Sequence, residues 1–206
     1  TDKVVAEVEF PTMNKTCAIW CARGKNTTTA TWTVFLISTG RLRADYNSKT
    51  GTELQTSAEE NVRYTLTYDR NVFSWSGGTE RQEHAAVSSF TATGDPIMLF
   101  ASYYNGTAKN PGNFGDHKLY SFKIYRDGAL IHDYVPCRDA DGNVTLYDDM
   151  PSGRSKLTRT GTFVAGPAAE FVQVEGSPVE VLVPNPGYGI HLDMIRGQSY
   201  TFTCPA

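Results

Sequence analysis

The stretch Lys118–Asp148, KLYSFKIYRDGALIHDYVPCRDADGNVTLYD, decides the fold class. Aromatic and β-branched residues alternate with polar ones along its first part, the pattern of a half-buried strand. Asp127-Gly128 follows as a two-residue hairpin turn, with glycine where a positive φ is needed. A second alternating run, Ala129–Pro136, leads into the Asp-Gly turn at Asp141-Gly142, and Val144–Asp148 is a third. Three strands joined by tight turns predict an antiparallel meander.

The same texture extends toward both ends. Thr, Val, Tyr and Phe dominate, and Gly, Asn, Asp and Pro punctuate at short intervals. Further strands are expected at Val4–Phe10, Thr16–Ala22, Thr31–Ser38, Arg41–Tyr46, Val62–Tyr68, Asn71–Ser76, Ala86–Thr91, Ile97–Tyr103, His117–Arg126 and Gly161–Ala165. In VVAEVEF, Val4, Ala6 and Val8 share one face and Val5, Glu7 and Glu9 the other. WTVFLIS is apolar on both faces, which suits a central strand. Ser57-Ala58-Glu59-Glu60 has capping-box spacing but runs straight into β-rich VRYTLTY, so it reads as a polar loop. The fold class is therefore all-β. After Gly166-Pro167 two or three more strands surround a Pro/Gly-rich loop, too short to bury a core alone. Residues 1–167 are read as one sandwich and 168–206 as a short C-terminal β appendage, a partial module.

Composition excludes some functions. Forty per cent apolar and 20% charged residues in 206 suit a folded domain. A net charge of −3 with scattered basic residues lacks the dense cationic stripe that tracks phosphates, so no nucleic-acid partner is expected. No apolar run is long enough to cross a bilayer, so no membrane insertion is expected. Cys17 and Cys21 would stand roughly 13 Å apart on an extended strand, too far to bridge. No second Cys/His pair completes a zinc set. Buried free thiols are expected.

From about Asp2 to Pro167 the order of blocks resembles the laminin-G-like, concanavalin A-like modules of bacterial surface and phage structural proteins. An EVEF strand is followed by TVFLI, RLRADY and VRYTLTYDRN. KLYSFKIYRDGALIHDYVPCRDADGNVTLYD and TGTFVAGP close the match. The resemblance implies a jelly-roll sandwich of two antiparallel sheets. It also implies a non-catalytic binding or spacer module, extracellular or on a bacterial cell surface, within a longer multidomain chain. Its partners would be a polysaccharide or glycoprotein. A structural or protein-interaction domain is the alternative, and a glycoside hydrolase the third reading.

The same fold hosts laminarinase-type enzymes, whose Glu-x-Asp-x-x-Glu pattern pairs carboxylates on one strand face. Glu7/Glu9 share a face but have no third carboxylate, and Asp148/Asp149 point oppositely on an extended chain. None of His84, His117, His132 and His191 accompanies a nucleophile motif. No catalytic residues are therefore assigned. Asp139, Asp141 and Asn143 present alternating oxygens that suit calcium, against a metal-free hairpin turn; no other cofactor is expected.

Sugar recognition combines an aromatic platform for the C–H face of a pyranose with polar groups for its hydroxyls. Tyr103, Tyr104 and Asn105, in the Asn/Gly-rich segment 103–116, are the first candidates. Phe114, Asp116 and Trp75 join them if the loops converge. Trp20 and Trp32 are expected in the core; Trp75 fits core or surface equally.

Overall fold

The computed structural model describes residues 2–23, 31–47, 49–87, 97–103, 111–138 and 144–150. They form strands and connections, with no helix among them. The strands are β1 (Asp2–Glu9), β2 (Cys17–Ala22), β3 (Trp32–Leu36), β4 (Arg41–Tyr46), β5 (Glu53–Ser57), β6 (Arg63–Asp69), β7 (Val72–Trp75), β8 (Arg81–Glu83), β9 (Met98–Leu99), β10 (Ser102–Tyr103), β11 (Pro111–Gly112), β12 (Lys118–Arg126), β13 (Ala129–Arg138) and β14 (Val144–Asp148). One antiparallel sheet runs β14-β13-β12-β1-β6-β7-β8 and the other β5-β4-β3-β2-β9; β10 and β11 form a small ribbon. The chain divides at Gly166–Pro167 into two units, and every described residue belongs to the first. The appendage expected over 168–206 and the strand expected at Gly161–Ala165 lie outside the described residues.

Alternation on β1 works as its sequence requires. Val4, Ala6 and Val8 are fully buried and face the other sheet, beside Leu66, Tyr68 and Phe122 from the flanking strands. Rings interlock across the layers: Trp20 on β2 meets Phe122 on β12 edge-on at 5.7 Å, and Trp32 on β3 meets Tyr68 on β6 at 5.4 Å. Such contacts make a β-sandwich with one main core. β3 is the central strand of its sheet and buries both faces. Val34 and Leu36 enter the main core, while Phe35 joins Ala18 and Ile37 in a second cluster on the opposite side.

Two hairpin turns carry positive φ, the second as the sequence predicts. Gly40 (φ 78°) closes the β3–β4 hairpin, and Asp127 and Gly128 (φ 50° and 81°) close β12–β13. β5 and β8 escape the sequence pattern, as does the two-residue β11. β5, ELQTS, buries only Leu54, and β8 has three residues whose inward member is Gln82. Both are edge strands, where alternation has little core to face. The expected Ile97–Tyr103 strand breaks into β9 and β10 because Phe100 turns the backbone to φ 62°. Ala86 and Val87 are outside any strand, and 88–91 lie beyond the described residues. Ser57 ends β5 and Ala58–Glu60 is a loop, as its sequence suggests.

A buried amide ties the sheets together. The β4–β5 pairing ends at Arg43–Glu53, and the next backbone groups, at Ala44, bond to the Gln82 side chain from β8. Cys17 and Cys21 are buried thiols. A bulge between Ala18 and Trp20 turns Cys17 toward the main core, while Cys21 lies on the other face and accepts a hydrogen bond from Thr33 Oγ1 at 3.4 Å.

Candidate functional site

Strand direction gathers several predicted site elements at one end of the sandwich. The exits of β1, β7 and β13 and the entries of β2, β6, β12 and β14 all lie there. The segment 113–117 crosses this end, fastened by Ala18 N–H to Asn113 O (2.9 Å) and Gly115 N–H to Phe100 O (2.7 Å), while Phe100 N–H is itself held by Ile19 O (3.2 Å). Asn113, at φ 50°, also donates from Nδ2 to Ser102 Oγ at 3.0 Å. Phe100 holds a left-handed backbone that a bulky side chain disfavours, a strain of about 1–3 kcal/mol that clusters at binding and switch regions.

Alternation within this segment sets what is offered to solvent. His117 points inward and is 5% exposed. Gly115 also faces inward: a Cβ there would stand 2.5 Å from His117 Nδ1 and 3.2 Å from Ala18 O, so only glycine fits without displacement. Phe114 and Asp116 project outward, separated by about 6.5 Å along extended backbone. Phe114 is 63% exposed, the highest value among the exposed large apolar residues described. Asp116 Oδ2 accepts from Thr12 Oγ1 and pairs with Lys15 Nζ, each at 3.1 Å. Partial burial alone would raise its carboxyl. The Lys15 and Thr12 contacts outweigh that and hold it below the ordinary aspartate value, leaving a fixed carboxylate beside an open ring.

The remaining predicted residues divide. Tyr103 pairs with Pro111 across the β10–β11 ribbon, so the backbone brings the 103–116 segment back to the same rim. Tyr104 and Asn105 lie outside the described residues, as do Asp139, Asp141 and Asn143. Arg138 and Val144, which flank that calcium candidate, pair at this end of the sheet. Among the described residues no cluster of three or more acidic, His or Cys side chains could hold a metal. Trp75 takes the core alternative: it is 6% exposed and packs against Tyr64 at 5.0 Å, so its faces are covered. Thr12, Lys15 and His117 complete this rim beyond the residues that the sequence marks. Thr12 and Lys15 are about a hundred positions from Asp116 and carry no local signal. The in-out alternation of Phe114-Gly115-Asp116-His117 is the pattern that would have found His117.

Several other titratable groups sit in hydrogen-bonded pairs. On the outer face of the larger sheet, Glu7 binds Arg63, and Glu9 binds Lys118 and accepts from Tyr120 Oη at 2.6 Å. The β1–β12 register shift at Glu7/Val8 makes Tyr120 the extra residue and turns it onto that face. Hydrogen bonds from Lys118 and then Tyr120 hold the Glu9 carboxyl below its ordinary value. At the far edge, buried Asp148 accepts from His132 Nδ1 (2.7 Å) and from the Asp133 (2.9 Å) and Met150 (3.3 Å) amides. Burial would raise its carboxyl, but these donors outweigh it. Asp149 is exposed, so the two neighbours do face apart. A cavity of about 290 Å³ opens between the β5 and β8 edges. The Glu80 carboxylate beside it is occupied by the Gln55 and Thr56 amides (2.5 and 3.0 Å) and the Thr56 hydroxyl.

No family model, no curated protein and no solved structure matches this chain.

Proposed function

We propose that the chain is a non-catalytic carbohydrate-binding and adhesion module, built as a concanavalin A-like jelly roll of the laminin-G-like kind. It acts outside the cell or on a bacterial surface, within a longer protein. The observation that carries this reading is Phe114, a largely exposed ring two residues from a carboxylate fixed by Lys15 and Thr12. A pyranose stacks its C–H face on such a ring, while its hydroxyls donate to the Asp116 oxygen that Thr12 and Lys15 leave open. The non-catalytic part of this reading is supported by the sequence pattern: Glu7/Glu9 have no third carboxylate following, and Asp148/Asp149 face apart.

A panel of polysaccharides and glycoproteins printed as an array tests the proposal. Retention of one glycan class by the wild-type chain, lost in Phe114→Ala, is the expected result. Uniform silence would retire it.

One observation favours the second reading, a structural or protein-interaction domain. Among the described strands β14 has a neighbour on one side only, and its Tyr147 is 45% exposed. An edge with no second neighbour among the described strands, carrying an exposed aromatic ring, suits strand addition by a protein partner. Substitution of Tyr147 would then weaken association and leave any glycan response unchanged.

A further inference from the structure

Both ring nitrogens of His117 are buried with no hydrogen-bond partner among the described residues. The ring lies parallel to Phe100, 4.4 Å away with 18° between planes, and tilted against Phe10 at 6.2 Å. Nδ1 abuts the Gly115 backbone closely enough that no side chain could intervene. A neutral imidazole tolerates this sandwich. An imidazolium needs two acceptors or water, and neither phenyl ring supplies an acceptor. The structure fastened over His117 is also the one under strain, since Phe100 keeps its left-handed backbone while stacked on the ring.

We propose that His117 is a proton-operated latch on the rim: it takes up a proton only when segment 113–117 lifts away from Phe100 and Phe10, so acid opens the platform that carries Phe114 and Asp116. That this regulates ligand capture rests on the binding reading above; the opening itself does not.

Few charged or titratable groups among the described residues face the ring. Asp116 on its own segment favours the imidazolium, and Lys15 on the β1–β2 connection opposes it. Cys17, at the head of β2 and within reach of the same two charges, is a neutral thiol pushed up to about 11 by burial. Phe10 from β1 and Phe100 from the β9–β10 connection bring no charge. Burial outweighs these influences and holds the closed ring down to about 3, against 6.5 for a free imidazole. Between those values the open state binds more protons than the closed one. The closed state is therefore fully favoured above pH 6.5 and loses ground as pH falls toward 3. The opening constant grows about tenfold per pH unit in that window, or about 30-fold from pH 8 to pH 5.

Amide hydrogen exchange of Ala18 and Gly115, corrected for intrinsic rates, reads the opening directly. The wild-type chain is expected to show the rise of about 30-fold between pH 8 and 5, with amides of the β3–β4 pair changing far less. His117→Phe retains a ring in the stack without a proton site, and its opening is expected to be the same at both pH values. A flat wild-type response, or an equal slope in the variant, overturns the latch. Should the variant not fold, the His117 ring resonance of the wild-type chain decides. It stays neutral down to pH 5 if the latch is real, and a midpoint near 6.5 overturns it. Neither measurement needs a ligand, so a silent glycan array alongside the 30-fold rise sinks the binding reading and leaves the latch standing.

Discussion

Gln82 and Ala44, on different sheets, exchange two hydrogen bonds across the interior: Ala44 N–H donates to Gln82 Oε1 at 3.1 Å, and Gln82 Nε2 donates to Ala44 O at 2.7 Å. The amide thus acts as one more rung beside β4 where β5 no longer pairs with it. His84 Nε2 lies 2.9 Å from the same carbonyl. Replacement by Gln82→Leu keeps the volume but leaves the buried Ala44 amide without its acceptor. Unfolding stability is expected to fall by about 1–3 kcal/mol, read as a lower urea midpoint with an unchanged slope.

Cys17 and Cys21 are buried, and burial raises the Cys17 thiol to about 11. The thiolate is the reactive form, so Cys17 is expected to resist alkylation at pH 8 in the folded chain, and Cys21 to be shielded by burial alone. Both should label at once in concentrated urea. Mass spectrometry of the modified peptides checks this; rapid labelling of either in the native state would mean that the β2 packing is wrong.

Glu9 makes stability depend on acid. Its folded carboxyl titrates below the unfolded value of 4.5, so its contribution is present above that value. As pH falls through the lowered folded value, that contribution is lost. Glu9→Gln is expected to be less stable than wild type at pH 7, with the gap closing as both are taken below pH 4.5. Thermal midpoints measured across that range test the sign; a gap that widens in acid would refute the assignment.

Much of the scaffold is legible from side-chain period alone, and the reasons for failure are physical. Val4, Ala6 and Val8 alternate against a continuous core, so their face can be read directly. Val144–Asp148 carries its own turn signal and emerges with the same limits. β5 and β8 lie at edges, where one buried residue each leaves no period to detect. Gln82 is ambiguous in sequence because its role depends on a partner 38 positions away. The rim is half legible. Phe114 and Asp116 stand in a loop whose composition marks it, whereas Trp75 in FSWSGG has no local feature that separates core from surface. Its burial follows from Tyr64, brought beside it by β6–β7 pairing. Alternation marks His117 as inward-facing, but its want of a hydrogen-bond partner among the described residues is a property of packing, invisible in composition.

Phe114 contacts little of the core, so Phe114→Ala is expected to change unfolding stability by no more than a substitution at an open surface position, within about 0.5 kcal/mol. Asp116→Asn removes the charge that Lys15 pairs with, and an exposed pair of this kind contributes about 0–1 kcal/mol. Circular dichroism melts of both variants check that any lost binding comes from the rim and not from unfolding.

Backbone chemical-shift mapping of the ¹⁵N-labelled chain during titration with a glycan retained on the array tests the central claim most directly. Saturable shifts confined to 12–16 and 113–117, abolished by Phe114→Ala, are the predicted result. Shifts centred on the β14 edge or the outer face of the larger sheet, with the Phe114 region unmoved, would contradict it.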